Sequence, residues 1–158
     1  MIVIYHCWGG SHSSVTAASI HLGLLPDDRV PQKEEFLRLG FYDQQCGKDH
    51  GKIFELGTDQ YGNKVCFMGR EFADEIIIRA ITGIGPLYGL APQAIKFVDV
   101  MTCVNVVMML GGSVSRALRL ISIGRPLVIK GTQQCYHKIV HLVTGVKREF
   151  TEAMEFNV

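Results

Sequence analysis

The opening of the chain restricts the fold more than any other stretch. Ile2-Val3-Ile4-Tyr5-His6-Cys7 is a short apolar run rich in β-branched residues, closed by Gly9 and Gly10. Such a run reads as a buried strand. A small polar loop, Trp8 to Ser14, follows. Then Val15, Ala17, Ala18, Ile20, His21, Leu22 and Leu24 read as a helix, stopped by Pro26. A strand that runs through a glycine turn directly into a helix is the start of a crossover, the connection that parallel strands require.

The rest of the chain continues the alternation. Glu34 to Leu39 reads as a second short helix. Lys52 to Leu56 and Lys64 to Met68 alternate apolar and polar residues around the turn-rich joint Asp59-Gln60-Tyr61-Gly62-Asn63, the pattern of a β-hairpin. Between Arg70 and Ile84, Phe72, Ile76, Ala80 and Ile84 recur four apart, the stripe of an amphipathic helix. Ile95 to Val100 is a further strand. Val104 to Leu110 reads as a helix interrupted at Gly111-Gly112, with Ser113 able to cap another through Leu120. Leu127 to Lys130 reads as the last strand, and Gly131-Thr132 as the opening of a terminal helix from about Gln133 to Val146. The expected fold is α/β and three-layered. It has a mainly parallel sheet, helices on both faces and an inserted or edge β-hairpin, in a single domain spanning 1–158.

Composition excludes several classes of function. The 158 residues are 47% hydrophobic, which argues against disorder. The 16 Lys and Arg against 15 Asp and Glu give no basic field to draw in nucleic acid. No segment approaches the ~18 apolar residues of a membrane helix. The five cysteines are Cys7, Cys46, Cys66, Cys103 and Cys135. An odd count without an export signal predicts reduced thiols and a cytoplasmic location. Nothing in the sequence assigns a cofactor or an oligomeric state.

In a sheet of this kind ligands bind beyond the carboxyl ends of the strands. Three junctions are expected to share that rim: His6 to Ser14, Asp99 to Asn105, and Lys130 to Gln133. The first is the richest. Gly9 and Gly10 let the backbone turn and approach a ligand. Ser11, Ser13 and Ser14 supply hydroxyls, and the helix that follows aims free N–H groups into the loop, which suits an anion. A thiol at the strand end beside a helix N-terminus is expected to gain thiolate character, making Cys7 the candidate nucleophile. His12 is a candidate base or anion partner. His6 alternates with Cys7 and should face the opposite side. Cys103 is a second thiol expected on the rim, able to resolve an oxidised Cys7 or to join it at a metal. Thr132 is expected to contact the anion from the third junction or to cap its helix. Asp99, Thr102, Asn105 and Lys130 are further rim residues, and capping alone would explain Asn105 and Thr102. His137 and His141, four apart on one helix face, have a metal-ligand spacing without an evident third ligand, so no metal site is assigned.

Neither the P-loop pattern nor Gly-x-Gly-x-x-Gly can be written over this loop. Cys7-Trp8-Gly9-Gly10-Ser11-His12-Ser13-Ser14 resembles the catalytic loop of low-molecular-weight tyrosine phosphatases and related arsenate reductases, with Cys7, Gly9 and Ser14 on matching positions. The arginine of that loop would fall at Ser13. Its absence argues against phosphatase activity, since the guanidinium clamps the phosphoryl oxygens. The loop also resembles the phosphocysteine loop of sugar-phosphotransferase IIB components, where Cys7, Gly10, Ser13 and Ser14 match and no arginine is required. Over nearly the whole chain, Tyr5 to Ala18, Ile20 to Pro26, Thr102-Cys103-Val104-Asn105, Gly124-Arg125-Pro126 and Gly131-Thr132-Gln133 resemble a family of Firmicutes proteins classed as a domain of unknown function. That resemblance implies a small cytoplasmic bacterial protein and transfers no activity.

Three readings of function stay open on the residues. One is binding of an anionic or phosphorylated small molecule at Cys7 to Ser14, with Cys7 as nucleophile or covalent carrier. Another is a non-catalytic nucleotide-binding or regulatory protein. The last is a thiol redox or metal site built from Cys7, Cys103 and His12.

Overall fold

The computed structural model describes residues 1–117 and 120–155. Strands β1 (Ile2–Cys7), β2 (Ile53–Thr58), β3 (Lys64–Gly69) and β4 (Ile95–Asp99) form one sheet in the order β2-β3-β1-β4. β1 lies parallel to both neighbours, with His6 opposite Met68 on one side and Asp99 on the other. β2 pairs antiparallel with β3 and forms the edge, so the hairpin read from the alternation is present. Asp59 closes its turn, its Oδ1 accepting the N–H groups of Tyr61 at 2.9 Å and Asn63 at 2.8 Å.

The α-helices among the described residues are α1 (Ser13–His21), α2 (Lys33–Arg38), α3 (Asp74–Ile84), α4 (Val106–Gly112) and α5 (Ile121–Glu155). The pleat of β1 and β3 sorts their side chains into two layers. Val3, Tyr5, Val65 and Phe67 meet α1 and α5 in the main core, through Val15, Ala18, Val128, Tyr136, Ile139 and Val143. Ile4, Cys66 and Met68 point the other way and meet Ile77 of α3 in a smaller cluster. Helices therefore cover both faces of a mainly parallel sheet. α1 is buried at every position, and its small residues Ser13, Ser14, Ala17, Ala18 and Ser19 let it pack between the strands and α5.

The last expected strand is absent. Leu127 to Lys130 lies inside α5, which begins at Ile121, before Pro126 and Gly131. Val128, Thr132, Cys135, Tyr136, Ile139, Val143, Val146 and Phe150 are all buried. They recur at helical spacing, and that stripe runs through the glycine that the sequence reading treated as a break. Gly131 is required by proximity instead: a Cβ there would sit 2.5 Å from the Met108 amide nitrogen of α4. Gly111 of α4 answers it, since a Cβ there would sit 2.4 Å from the Val128 nitrogen. Packing of two helix backbones, invisible to local propensity, decides the conformation here. α4 likewise runs through Gly111 and Gly112, and a π-helix, Ser113–Ala117, continues from it. Leu118 and Arg119, in the helix expected after Ser113, lie outside the described residues.

Candidate functional site

Cys7 ends β1, and the chain turns at once. Gly10 takes a left-handed φ of +67°, and its Cα faces the backbone of Gly69 at the end of β3 so closely that a Cβ would sit 2.4 Å from the Gly69 nitrogen. Only glycine fits there. The turn is fixed to the sheet by Arg70, whose N–H reaches the carbonyls of Cys7 at 3.0 Å and Trp8 at 3.1 Å. It folds back over the sulfur. The Gly10 N–H donates to Cys7 Sγ at 3.2 Å, and the thiol lies 3.2 Å from Ser14 Oγ. Cys7 is 5% exposed, yet its surroundings on this side are polar.

The loop then enters α1. The first N–H of the helix to reach a backbone carbonyl is that of Thr16, on His12 at 2.8 Å; those of Ser13, Ser14 and Val15 precede the intrahelical ladder and face the loop. Ser11 is not free for a ligand. Its hydroxyl donates to the Gln45 carbonyl at 3.2 Å, and its own carbonyl accepts from the Asp43 N–H at 2.9 Å.

His12 has a carboxylate behind it. Its Nε2 lies 3.0 Å from Oδ1 of Asp43, a fully buried residue. Asp43 also accepts from Ser115 Oγ at 3.0 Å and from Arg125 Nε at 2.8 Å. Burial pushes the Asp43 carboxyl up, but the hydrogen bonds from His12, Arg125 and Ser115 outweigh it and hold the group at about 2. A carboxylate in that place accepts the Nε2 proton and leaves Nδ1 as the acceptor of the neutral ring. Asp43 itself sits at φ +56°, strained backbone held by buried polar contacts.

Cys7, Gly9, His12 and Ser13 line one cavity of about 330 Å³. Its remaining wall comes from Trp8, Phe72 beyond β3, Met101 and Val104 beyond β4, and Met108, Met109, Gly112 and Ser113 around the end of α4. The cavity thus lies beyond the carboxyl ends of three parallel strands, where such sheets bind ligands.

Two of the three expected junctions converge here. The third does not exist as a junction. Thr132 is an interior residue of α5, fully buried, donating to the Val128 carbonyl at 2.8 Å and paired with Tyr42 Oη at 2.8 Å, so it offers nothing to an anion at the rim. The end of β3 takes that junction's place. Cys103 lines a different, shallower depression of about 450 Å³ with Thr102, His137, Lys138 and His141. Burial pushes its thiol above the ordinary range, and pushes that of Cys135 up to about 11. Neither change favours a resolving thiolate. Among the described residues no three His, Cys, Asp or Glu side chains stand together as a metal site. Asn105 caps α4, accepting from the Met108 N–H at 2.8 Å, and Thr102 donates to the Asp99 carbonyl at 3.3 Å.

His6 points to the other face, as the alternation requires. Arg70 donates through Nε to His6 Nδ1 at 3.0 Å and reaches both Asp99 oxygens at 3.3 Å. Burial holds the His6 ring below its ordinary pKa, with Asp99 opposing that shift, and an arginine donating to Nδ1 requires that nitrogen to be unprotonated.

The model of the family described as Protein of unknown function (DUF3189) matches residues 2–148. The chain belongs to that family. No curated protein and no solved structure matches it. No described helix is long and apolar enough to cross a membrane. The functional partners that sequence reading missed are Asp43, Ser115 and Arg125. They come from an irregular polar stretch, the π-helix and the first turns of α5, with no spacing to connect them. Phe72 was placed on an amphipathic stripe, but it precedes α3 and walls the cavity instead.

Proposed function

We propose that the loop from Cys7 to Ser14 binds an anionic small molecule, with Cys7 as its nucleophile or covalent carrier and His12 as the adjoining base. The observation that carries this reading is the shared cavity of Cys7 and His12, with a buried carboxylate behind the imidazole. Gly9 in the loop and Ser13 and Ser14 at the start of α1 supply backbone N–H groups, the latter two where the helix end carries partial positive charge. The Gly10 amide donates to the sulfur and stabilises negative charge there, and the Ser14 hydroxyl, which accepts from the thiol, can turn to donate once the thiol loses its proton. His12, through the nitrogen that Asp43 leaves unprotonated, is the acceptor for the thiol proton. Cys103 has no part in this step, because it faces another depression.

Alkylation kinetics followed by peptide mass spectrometry test the reading. Exposed Cys46 is the internal reference. Iodoacetate, an anion, should react at Cys7 faster relative to iodoacetamide than it does at Cys46, and phosphate or sulfate should slow Cys7 alone. Equal reagent preference at the two cysteines, with no protection by either anion, would remove the proposal.

A further inference from the structure

The cavity wall is mostly apolar. Cys7, His12, Ser13 and Ser113 are its polar side chains, the Ser113 hydroxyl already donating to the Met109 carbonyl at 2.9 Å, and Trp8, Phe72, Met101, Val104, Met108 and Met109 make the apolar part. Ser13 is 2% exposed, and its hydroxyl meets no hydrogen-bond partner among the described residues although it lines the cavity. That hydroxyl keeps some surface open to the cavity, so it is available to donate to or accept from whatever fills it. The apolar wall is open as well. Phe72 is 88% exposed, Met109 56% and Trp8 44%, and the Trp8 and Phe72 rings meet edge to face with centroids 6.1 Å apart. Flexible thioethers beside two aromatic rings form a surface that adapts to an apolar body of variable shape. No described lining residue is Lys or Arg, so a ligand that is all charge, such as a free inorganic anion, leaves most of the wall unused.

We infer that the ligand is an amphiphile: a small anionic head, a carboxylate or a phosphoester, on an acyl or aryl body. The head sits on Ser13 and the α1 amides next to Cys7, and the body lies along Trp8, Phe72 and the methionines. This rests on the anion-loop reading above and adds the body. The volume of about 330 Å³ is within the range of small-molecule pockets.

Trp8 is the chain's one tryptophan, so tryptophan fluorescence reads this wall. The intact protein is titrated with butyrate, octanoate, octyl phosphate and inorganic phosphate, and protection of Cys7 from iodoacetamide is read in parallel. Octanoate should perturb Trp8 and protect Cys7 but not Cys46. Its affinity should exceed that of butyrate by about fourfold for each methylene that the cavity accepts. Octyl phosphate carries one alkyl carbon more than octanoate, worth about fourfold, so a difference beyond that factor names the head. Phe72→Ala, at a position too exposed to matter for folding, should leave the melting temperature in place and weaken octanoate about fivefold. Equal affinity for butyrate and octanoate, or octanoate binding unaltered in Phe72→Ala, overturns the inference. If phosphate protects Cys7 and octanoate does not, the anion loop stands and the apolar body falls. If no anion protects Cys7, both fall.

Discussion

Replacing Gly10 by alanine isolates the contact on which the loop geometry depends. Two separate costs apply. The residue sits at φ +67°, and an L side chain in left-handed backbone costs about 1–2 kcal/mol. The new Cβ would also lie 2.4 Å from the nitrogen and 2.8 Å from the Cα of Gly69. Those are backbone atoms within the sheet, so no side chain can rotate away, and overpacking of this kind costs about 1–3 kcal/mol. The sum is about 2–5 kcal/mol. Gly69→Ala meets only the second cost, since its Cβ would lie 2.7 Å from the Gly9 carbonyl carbon and its φ is not positive; about 1–3 kcal/mol is expected. Gly9→Ala meets neither, with nothing within 4 Å of its Cβ, and should stay within about 0.5 kcal/mol of the parent. Urea unfolding reads all three. With a slope of about 1–3 kcal/mol/M the midpoint for Gly10→Ala should drop by about 1–3 M, Gly69→Ala should fall between, and Gly9→Ala should be unmoved. A Gly10→Ala midpoint equal to that of the parent, or Gly9→Ala as the worst of the three, would refute the argument that this loop is pinned to the end of β3.

Two further outcomes follow from the buried polar groups. Asp43→Asn removes the charge that Arg125, Ser115 and His12 share. Charge-assisted bonds of that kind are worth about 1.5–3 kcal/mol, so calorimetry should show a clear fall in melting temperature. Because the folded carboxyl is held at about 2, below the ordinary 3.8, its stabilisation is complete above about pH 4 and is lost as pH falls toward 2; in Asp43→Asn that acid limb should be shallower. His21 has the same direction in a higher window. It takes a hydrogen bond from Tyr5 Oη at 2.8 Å and donates to Asp59 at 3.1 Å, and burial holds it below 6.5 despite the carboxylate. Below pH 6.5 the unfolded chain binds a proton that the folded ring resists, so melting temperature should fall between pH 7 and pH 5. His21→Gln should flatten that decline, and an unchanged slope would exclude His21 as its source.

The sequence disclosed the parts of this fold whose signal is local. β1, the glycine turn and α1 were legible because an apolar run, a pair of glycines and a helical pattern follow each other without a gap. The hairpin was legible through Asp59 to Asn63, whose turn chemistry is short-range. α5 was misread at Leu127 to Lys130 because four apolar residues between breakers satisfy a strand and a buried helix equally. The deciding fact, the approach of α4 to α5 across Gly111 and Gly131, joins residues 20 apart. The site divides in the same way. Cys7, Ser14 and His12 share one loop and were readable together, whereas Asp43, which fixes the imidazole, is 31 residues from His12 and is held by Arg125, a further 82 away.

The pleat of β1 explains why the charge on the Cys7 side must come from backbone. His6 and Cys7 are neighbours in sequence and lie on opposite faces. Arg70, whose amide holds the loop, turns its side chain to the His6 face, where Asp99 and Asp74 oppose its charge, the latter at 3.6 Å. Arg125 lies behind His12, where Asp43 meets it at 2.8 Å. Both described arginines near the loop are therefore neutralised by carboxylates before they can meet a ligand. What remains for an incoming anion is the α1 amides and the Ser13 hydroxyl, a set suited to a head of low charge and weak without further contacts. That weakness is why the apolar wall matters: a head held by so few donors needs a body to hold it, and the rings of Trp8 and Phe72 stand where such a body would lie.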